Sequence, residues 1–389
     1  RLISFSKEYP RSSHAYTLLG VTYSKQGFFD AASINLRKAL LLSPIEETAL
    51  TCFRALLQDR NRHKDLLPML ERCITIDPTD PIVWQQYYQI VKSITYEEYT
   101  ELSARRFIKI LEKDNLIRPS QIVGSIISLL EKKQDLVKIS SIETQFLFNS
   151  KLTAIISVLL ETPLFLKIIE VCPIPNIIFE ILLRRLRKAF LLHDNLETSD
   201  NNYLRLQCSL ALHCFTNEYV YGEDKEETQK LEQLEKFISD AVFNGRPVPW
   251  RHIACLASYW PLSNFNWSRN LTVPVHMVNL FLRQVHHKDC EFSLRDSISS
   301  IGEITEDTSL AVKDQYEDNP YPRWVNIGIL QKSMTIPEVV NLIGIRTLPH
   351  ESNSLNQPKI LVAGCGTGQH SIEAAVRYAN SDITAIDLS

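Results

Sequence analysis

The sequence predicts a mainly α chain: stacked helical hairpins first, a helical middle region next, and the start of an α/β unit at the C-terminal end. Glycine is scarce, 11 of 389 residues, which disfavours turn-rich β architectures and favours helices. Prolines recur at Pro10, Pro44 and Pro78, 34 residues apart each time. Residues 359–387 read in order as strand, glycine loop, helix, strand and acid.

Length and composition bound the rest. A chain of 389 residues suggests two or three domains, and 44% hydrophobic with 22% charged residues excludes disorder and collagen-like repeats. With 42 Lys+Arg against 45 Asp+Glu, the formal net charge of -3 supplies no overall attraction for nucleic acid or an anionic membrane, and neither is expected as a partner. The most apolar stretch, Leu152 to Leu183, is interrupted by Glu161, Pro163, Lys167, Glu170, Pro173 and Pro175, so no membrane span is expected. The eight cysteines are scattered without a Cys-x-x-Cys pair and read as reduced thiols of a cytoplasmic protein with no metal site. The first residues hold neither an initiator Met nor a signal peptide. Together with an end inside a motif, this leads to the expectation of a fragment cut at both ends.

The first segment, 1–113, carries the repeat. Counting back from Pro44 places Tyr16, Leu19, Gly20 and Tyr23 on a first helix and Ala32, Leu36 and Ala39 on a second, with Gly27 near the turn. Small residues at Gly20 and Ala32 let two helices approach closely. Leu50, Phe53, Leu57, Leu66, Leu70 and Cys73 repeat the apolar positions, with Arg54 in place of the small residue, and Trp84, Tyr87 and Val91 begin a third copy. This pattern resembles the tetratricopeptide repeat, entered midway through a second helix. The groove of such a solenoid would be lined by His14, Thr17 and Val21, then Thr48, Thr51 and Gln58, then Gln85, Gln89 and Lys92. That surface suits either a peptide partner or packing as a scaffold.

The middle domain, 114–310, reads as all-helical. Ile178, Ile181, Leu182, Leu186 and Ala189 recur at spacings of three and four and predict one buried face, with Arg184, Arg187 and Lys188 on the solvated side and Arg185 near the edge. His286, His287 and Cys290 have metal-ligand chemistry but no second ligand pair, and are read as incidental.

The last segment, 358–389, carries the chemistry. Lys359 to Ala363 predicts a buried parallel strand, Gly364-Cys-Gly-Thr-Gly368 a loop, and Ile372, Ala375, Val376 and Ala379 one helix face; Asp382 to Ile386 is a second strand ending at Asp387. Glycines are needed where ligand and backbone touch, and a helix start adds free amide donors. An acid about 20 residues further on, at a strand's carboxyl end, accepts hydrogen bonds from ribose hydroxyls, and Asp387 stands 19 residues after Gly368. A dinucleotide fingerprint would place its last glycine at Gln369, so the pattern here is Gly-x-Gly-x-Gly.

This arrangement resembles the class I S-adenosylmethionine-dependent methyltransferases, and the resemblance implies a Rossmann-like fold. It implies that Gly364, Cys365, Gly366, Thr367, Gly368 and Gln369 pass close to S-adenosylmethionine, and that Asp387 holds its ribose. Many members carry an acid two residues before the first glycine, where this chain has Val362. Upstream, in the expected linker or lid segment 311–357, Gln315 to Trp324 looks like a segment of bacterial proteins that join tetratricopeptide repeats to such a methyltransferase. Its prolines stiffen an extended chain that displays Tyr316, Asn319, Tyr321, Arg323 and Trp324, either as a lid or as a rigid linker packed on the domain.

The leading expectation is therefore methyl transfer to an acceptor the sequence does not identify, with partner or substrate binding on the repeats. A non-catalytic scaffold and a dinucleotide-dependent oxidoreductase are the alternatives. In the family this chain resembles, acceptor-holding residues follow later strands, so no catalytic residue is named and weak or absent cofactor binding is expected of these residues alone.

Overall fold

The computed structural model describes residues 2–44, 46–59, 66–113, 115–140, 151–192, 201–295, 297–302, 304–318, 320, 323–328, 333–344 and 357–388. It is mainly helical and divides into two compact units, Arg1–Thr95 and Tyr96–Ser389.

The first unit holds α1 (Leu2–Glu8), α2 (Ser13–Lys25), α3 (Phe29–Leu42), α4 (Glu47–Asp59), α5 (Leu67–Ile76) and α6 (Pro81–Ser93). Helices α2, α4 and α6 each begin three residues after one of the periodic prolines. A proline fixes φ and donates no hydrogen bond, so each marks the turn from which the next helix starts. Ser12 and Asp80 cap α2 and α6 by accepting backbone N–H groups, and the Trp84 indole donates to Pro78 O at 2.9 Å. Tyr16, Leu50 and Trp84 occupy equivalent fourth positions of their helices, and all are buried. Gly27, at φ +77°, turns the chain between the packed pair α2 and α3; α3 packs on α4, and α5 on α6.

The apolar positions read from the period, including Leu19, Ala32, Leu36, Ala39, Phe53, Leu70, Cys73, Tyr87 and Val91, form this unit's core. The side chains of Arg54, Leu57 and Gln58 lie outside the described residues. Of the expected groove, His14, Thr48, Thr51, Gln89 and Lys92 are exposed and Val21 and Gln85 half-buried. Thr17 is not part of it: the residue is buried and its hydroxyl donates to Ser13 O at 3.0 Å. The unit ends at Thr95, so the helix Glu101–Glu112, expected with the repeats, belongs to the second unit.

That unit runs through α7 (Glu101–Glu112), α8 (Val123–Leu130), α9 (Gln134–Ser140), α10 (Lys151–Leu160), α11 (Pro163–Val171), α12 (Ile177–Leu192), α13 (Asn201–Thr216), α14 (Lys225–Phe243), α15 (Trp250–Ala257), α16 (Val278–Phe281), α17 (His287–Arg295), α18 (Asp307–Asp318) and α19 (Ile336–Leu342). It closes on β1 (Lys359–Ala363), α20 (Gln369–Arg377) and β2 (Asp382–Ile386). Helix α13 is central, packed against α10, α11, α12, α15 and α16. Among the described residues no single helix is long and apolar enough to cross a membrane; the apolar stretch is α10 and α11, bent by 83°. All eight cysteines are free, and burial pushes the Cys172, Cys208, Cys214 and Cys255 thiols up to about 12.

The middle helices correct the sequence reading at Arg187. The buried face of α12 is Phe179, Leu182, Leu183, Leu186, Ala189 and Phe190, while Ile178 and Ile181 are exposed. Arg187, expected in solvent, is almost fully buried. Its guanidinium donates to Tyr221 O at 3.2 Å and Gly222 O at 2.9 Å, lies 4.0 Å from the Tyr259 ring centre, and stands 3.8 Å from the Glu227 carboxylate. Tyr259 donates to the same carboxylate at 2.7 Å. Glu227 lies in the first turn of α14, so a counter-charge that helical periodicity cannot reveal compensates the buried cation.

The expected linker 311–357 is partly helical: α18 crosses its start and α19 lies within it. Strands β1 and β2 pair in parallel from Lys359↔Asp382 to Ala363↔Ile386. The expectation of a buried strand holds for Val362 alone; Leu361 is 62% exposed. The expected face of α20 also differs, since Ile372, Ala375 and Val376 are exposed while Ser371 and Ala374 pack inward. Two strands make a narrow surface, and short side chains let the helix lie close to it.

Candidate cofactor site

The glycine loop joins β1 to α20, and its shape follows from its glycines. Gly364, Gly366 and Gly368 have φ of +69°, +51° and +80°, a left-handed backbone that glycine adopts without cost. The amides of Gly364 and Cys365 donate to Ile386 O at 2.9 and 3.1 Å, tying the loop to the end of β2. Gly368 is the N-cap of α20 and donates to Cys365 O at 3.0 Å. A Cβ on Gly364 or Gly368 would meet nothing within 4 Å, so these glycines leave open space in front of the loop.

Asp387 follows β2 directly, and its carboxylate turns back to the loop: Gly366 N donates to Oδ2 at 2.7 Å and Leu388 N to Oδ1 at 2.8 Å. A carboxylate oxygen can accept more than one hydrogen bond, which is the chemistry a hydroxyl donor would use. Burial, and then the charge of Asp387, raises the Cys365 thiol.

The loop and the acid open on one cavity of about 1060 Å³. Gly364, Cys365, Gly366, Thr367, Gln369 and Asp387 line one side; Gly368 does not, since it turns the chain into α20 behind the rim. The facing wall is built by α17, α18 and the residues between them: Phe292, Leu294, Ile298, Val312 and Tyr316, with Lys288, Glu291, Arg295, Lys313 and Glu317 around them. Those charges are paired, Lys288 with Glu291 at 2.7 Å, and Arg295 and Lys313 sharing Glu317 at 3.1 and 3.6 Å, which leaves one positive charge in excess. The wall is thus apolar with internally paired charges. His370, in the first turn of α20, also faces the cavity; apart from its place beside the glycine loop, nothing in the sequence marks it.

The aromatic and basic residues of the upstream segment divide. Tyr316 lines the cavity. Trp324 is half-buried against the glycine loop, its indole Nε1 donating to Thr367 O at 3.2 Å and Oγ1 at 3.1 Å. Arg323 turns the other way, forms a two-point pair with Glu218 just beyond α13, with Nη2 to Oε2 at 3.1 Å, and covers the Phe215 ring at 4.1 Å. Asn319 and Tyr321 lie outside the described residues. Glu218 is the partner that the sequence did not single out, and Thr367, expected beside the cofactor, is also the acceptor of the Trp324 indole. Glu218 lies 105 residues from Arg323, and no local pattern carries that pairing.

No protein-family model matches the chain, and no curated protein is significantly similar to it. The reading of this site rests on its geometry and chemistry.

Proposed function

We propose that the protein is an S-adenosylmethionine-dependent methyltransferase whose cofactor lies between the glycine loop and Asp387, with the acceptor across the same cavity. The observation that carries this reading is convergence: two left-handed glycines of the loop, Gly364 and Gly366, the N-terminus of α20 and an acid at the end of the next parallel strand line one cavity. The residues present suit the group. Open space before Gly364 admits a ligand against bare backbone, the first-turn amides of α20 are donors for an anionic group, and Asp387 accepts from a ribose diol.

When bound, the cofactor supplies a methyl group on a sulfonium, transferred by in-line displacement. The protein's task is then positioning and exclusion of water. The loop fixes one end of the cavity, Asp387 fixes orientation, and the wall of Phe292, Ile298, Val312 and Tyr316 shields the space where an acceptor would sit. A C-terminal Rossmann-like fold is part of this proposal, as is a location in the cytoplasm. The exposed polar face of α2, α4 and α6 offers the first unit a role in holding a peptide partner or substrate.

Calorimetry on the full-length protein with S-adenosylhomocysteine and NAD in parallel tests the reading. Micromolar binding of the first and none of the second is the expected result. Preference for NAD would favour an oxidoreductase, and binding of neither would favour a scaffold.

A further inference from the structure

We infer that Arg323 and Glu218 are positioning residues: their ion pair holds Trp324 against Thr367 and thereby sets the glycine loop from the helical domain. This rests on the cofactor reading of that loop. Residues 323–328 form a strut fixed at three points rather than a lid over the cavity. At one end Arg323 is clamped between Glu218 and the Phe215 ring, both partners of the ion pair being largely buried, 14% and 17% exposed. Beside it the Trp324 indole donates twice to Thr367, the residue between Gly366 and Gly368. At the other end Gly328, at φ +66°, lies so close to the Ile117–Arg118 backbone that a Cβ would stand 2.4 Å from Arg118 N. Arg118 donates to Ile327 O at 3.3 Å and pairs with Glu373 on α20, so the strut's far end also reaches the helix that follows the loop.

The backbone at Glu218 is an independent observation. Glu218 and Tyr219 have φ of +55° and +53°, consecutive left-handed residues at the end of α13, where glycine is the usual occupant. Tyr219 N closes the cap on Cys214 O at 2.8 Å. A glutamate in this conformation is strained, and what it provides in return is a carboxylate aimed at Arg323. Arg283 also lies over Phe215, at 5.9 Å; burial first and then the charge of Arg323 lower its ionisation to about 10, so Arg323 stands beside a second cation and Glu218 is the carboxylate that pairs with Arg323.

The strut makes a prediction that a packing role does not. Glu218→Gly removes the ion pair, and the left-handed strain it relieves offsets part of the cost of leaving the largely buried Arg323 without its counter-charge. Hydrogen exchange of the 364–368 amides in the full-length protein without ligand should then accelerate about fivefold, the scale of one lost hydrogen bond. Arg323→Gln and Trp324→Phe should do the same, while 359–362 keeps its wild-type rate. S-adenosylhomocysteine affinity should fall by a similar factor in all three. Wild-type loop exchange in Glu218→Gly and Arg323→Gln would overturn the inference. If the wild-type protein binds no S-adenosylhomocysteine but the loop still loosens in these variants, the strut stands and the cofactor assignment fails.

Discussion

Gly20 in α2 lies so close to Leu36 in α3 that a Cβ on it would stand 2.5 Å from Leu36 Cγ. Leu36 is fully buried and has nowhere to move. Gly20→Ala should therefore destabilise the first unit by about 1–3 kcal/mol through overpacking. Gly124 in α8 is the control: a Cβ there meets nothing within 4 Å, so Gly124→Ala should be neutral or stabilising by up to about 1 kcal/mol. Urea unfolding of both variants checks this, and equal effects would show that the α2–α3 approach is not tight.

Glu227 is the only charge within salt-bridge distance of Arg187 among the described residues. Glu227→Gln keeps one acceptor oxygen, for either the Tyr259 hydroxyl or the Asp224 amide but not both, and leaves the buried guanidinium without its salt-bridge partner. Breaking such a pair costs about 3 kcal/mol, whereas replacing both members, as Arg187→Met with Glu227→Leu, should recover most of it. A single variant as stable as wild type would show that the carbonyls of Tyr221 and Gly222 suffice.

His213 makes stability depend on pH. It is fully buried beside the Tyr221 hydroxyl at 2.9 Å, and burial lowers its ionisation from 6.5 to about 4. Between those values the unfolded chain binds a proton that the folded chain does not. Stability should therefore fall as pH drops from about 6.5 to 4, by about 3 kcal/mol in total. Glu180, whose carboxyl burial raises, works in the opposite sense and stands 3.7 Å from His213 Nε2, so the difference between wild type and His213→Gln reports the histidine together with its coupling to Glu180. Parallel pH slopes for the two proteins would assign the effect elsewhere.

What was legible in the sequence was periodic or local. Proline spacing located the starts of α2, α4 and α6 because each ring must sit in a turn, and the glycine loop was legible because three left-handed residues in five need glycine. Arg187 was misplaced because periodicity assigns faces and not counter-charges, and Glu227 arrives from another helix. Ile372 and Val376 were misplaced because an apolar stripe predicts burial, and the parallel pair β1–β2 does not cover that face. Arg323 and Trp324 were visible as stiffened, displayed residues, but that they hold α13 and the glycine loop on opposite sides depends on Glu218 and Thr367, distant in the chain.

The most direct test of the cofactor assignment is equilibrium titration of S-adenosylhomocysteine into full-length wild type and Asp387→Ala. Loss of charge-assisted hydrogen bonds to ribose should weaken binding by about 1.5–3 kcal/mol, roughly tenfold to a hundredfold. Gly366→Val, which forces a side chain into the left-handed loop at φ +51°, should be at least as damaging, and Val362→Ala should cost mainly packing energy. A folded Asp387→Ala protein that binds S-adenosylhomocysteine like wild type would contradict the account at its best-placed residue.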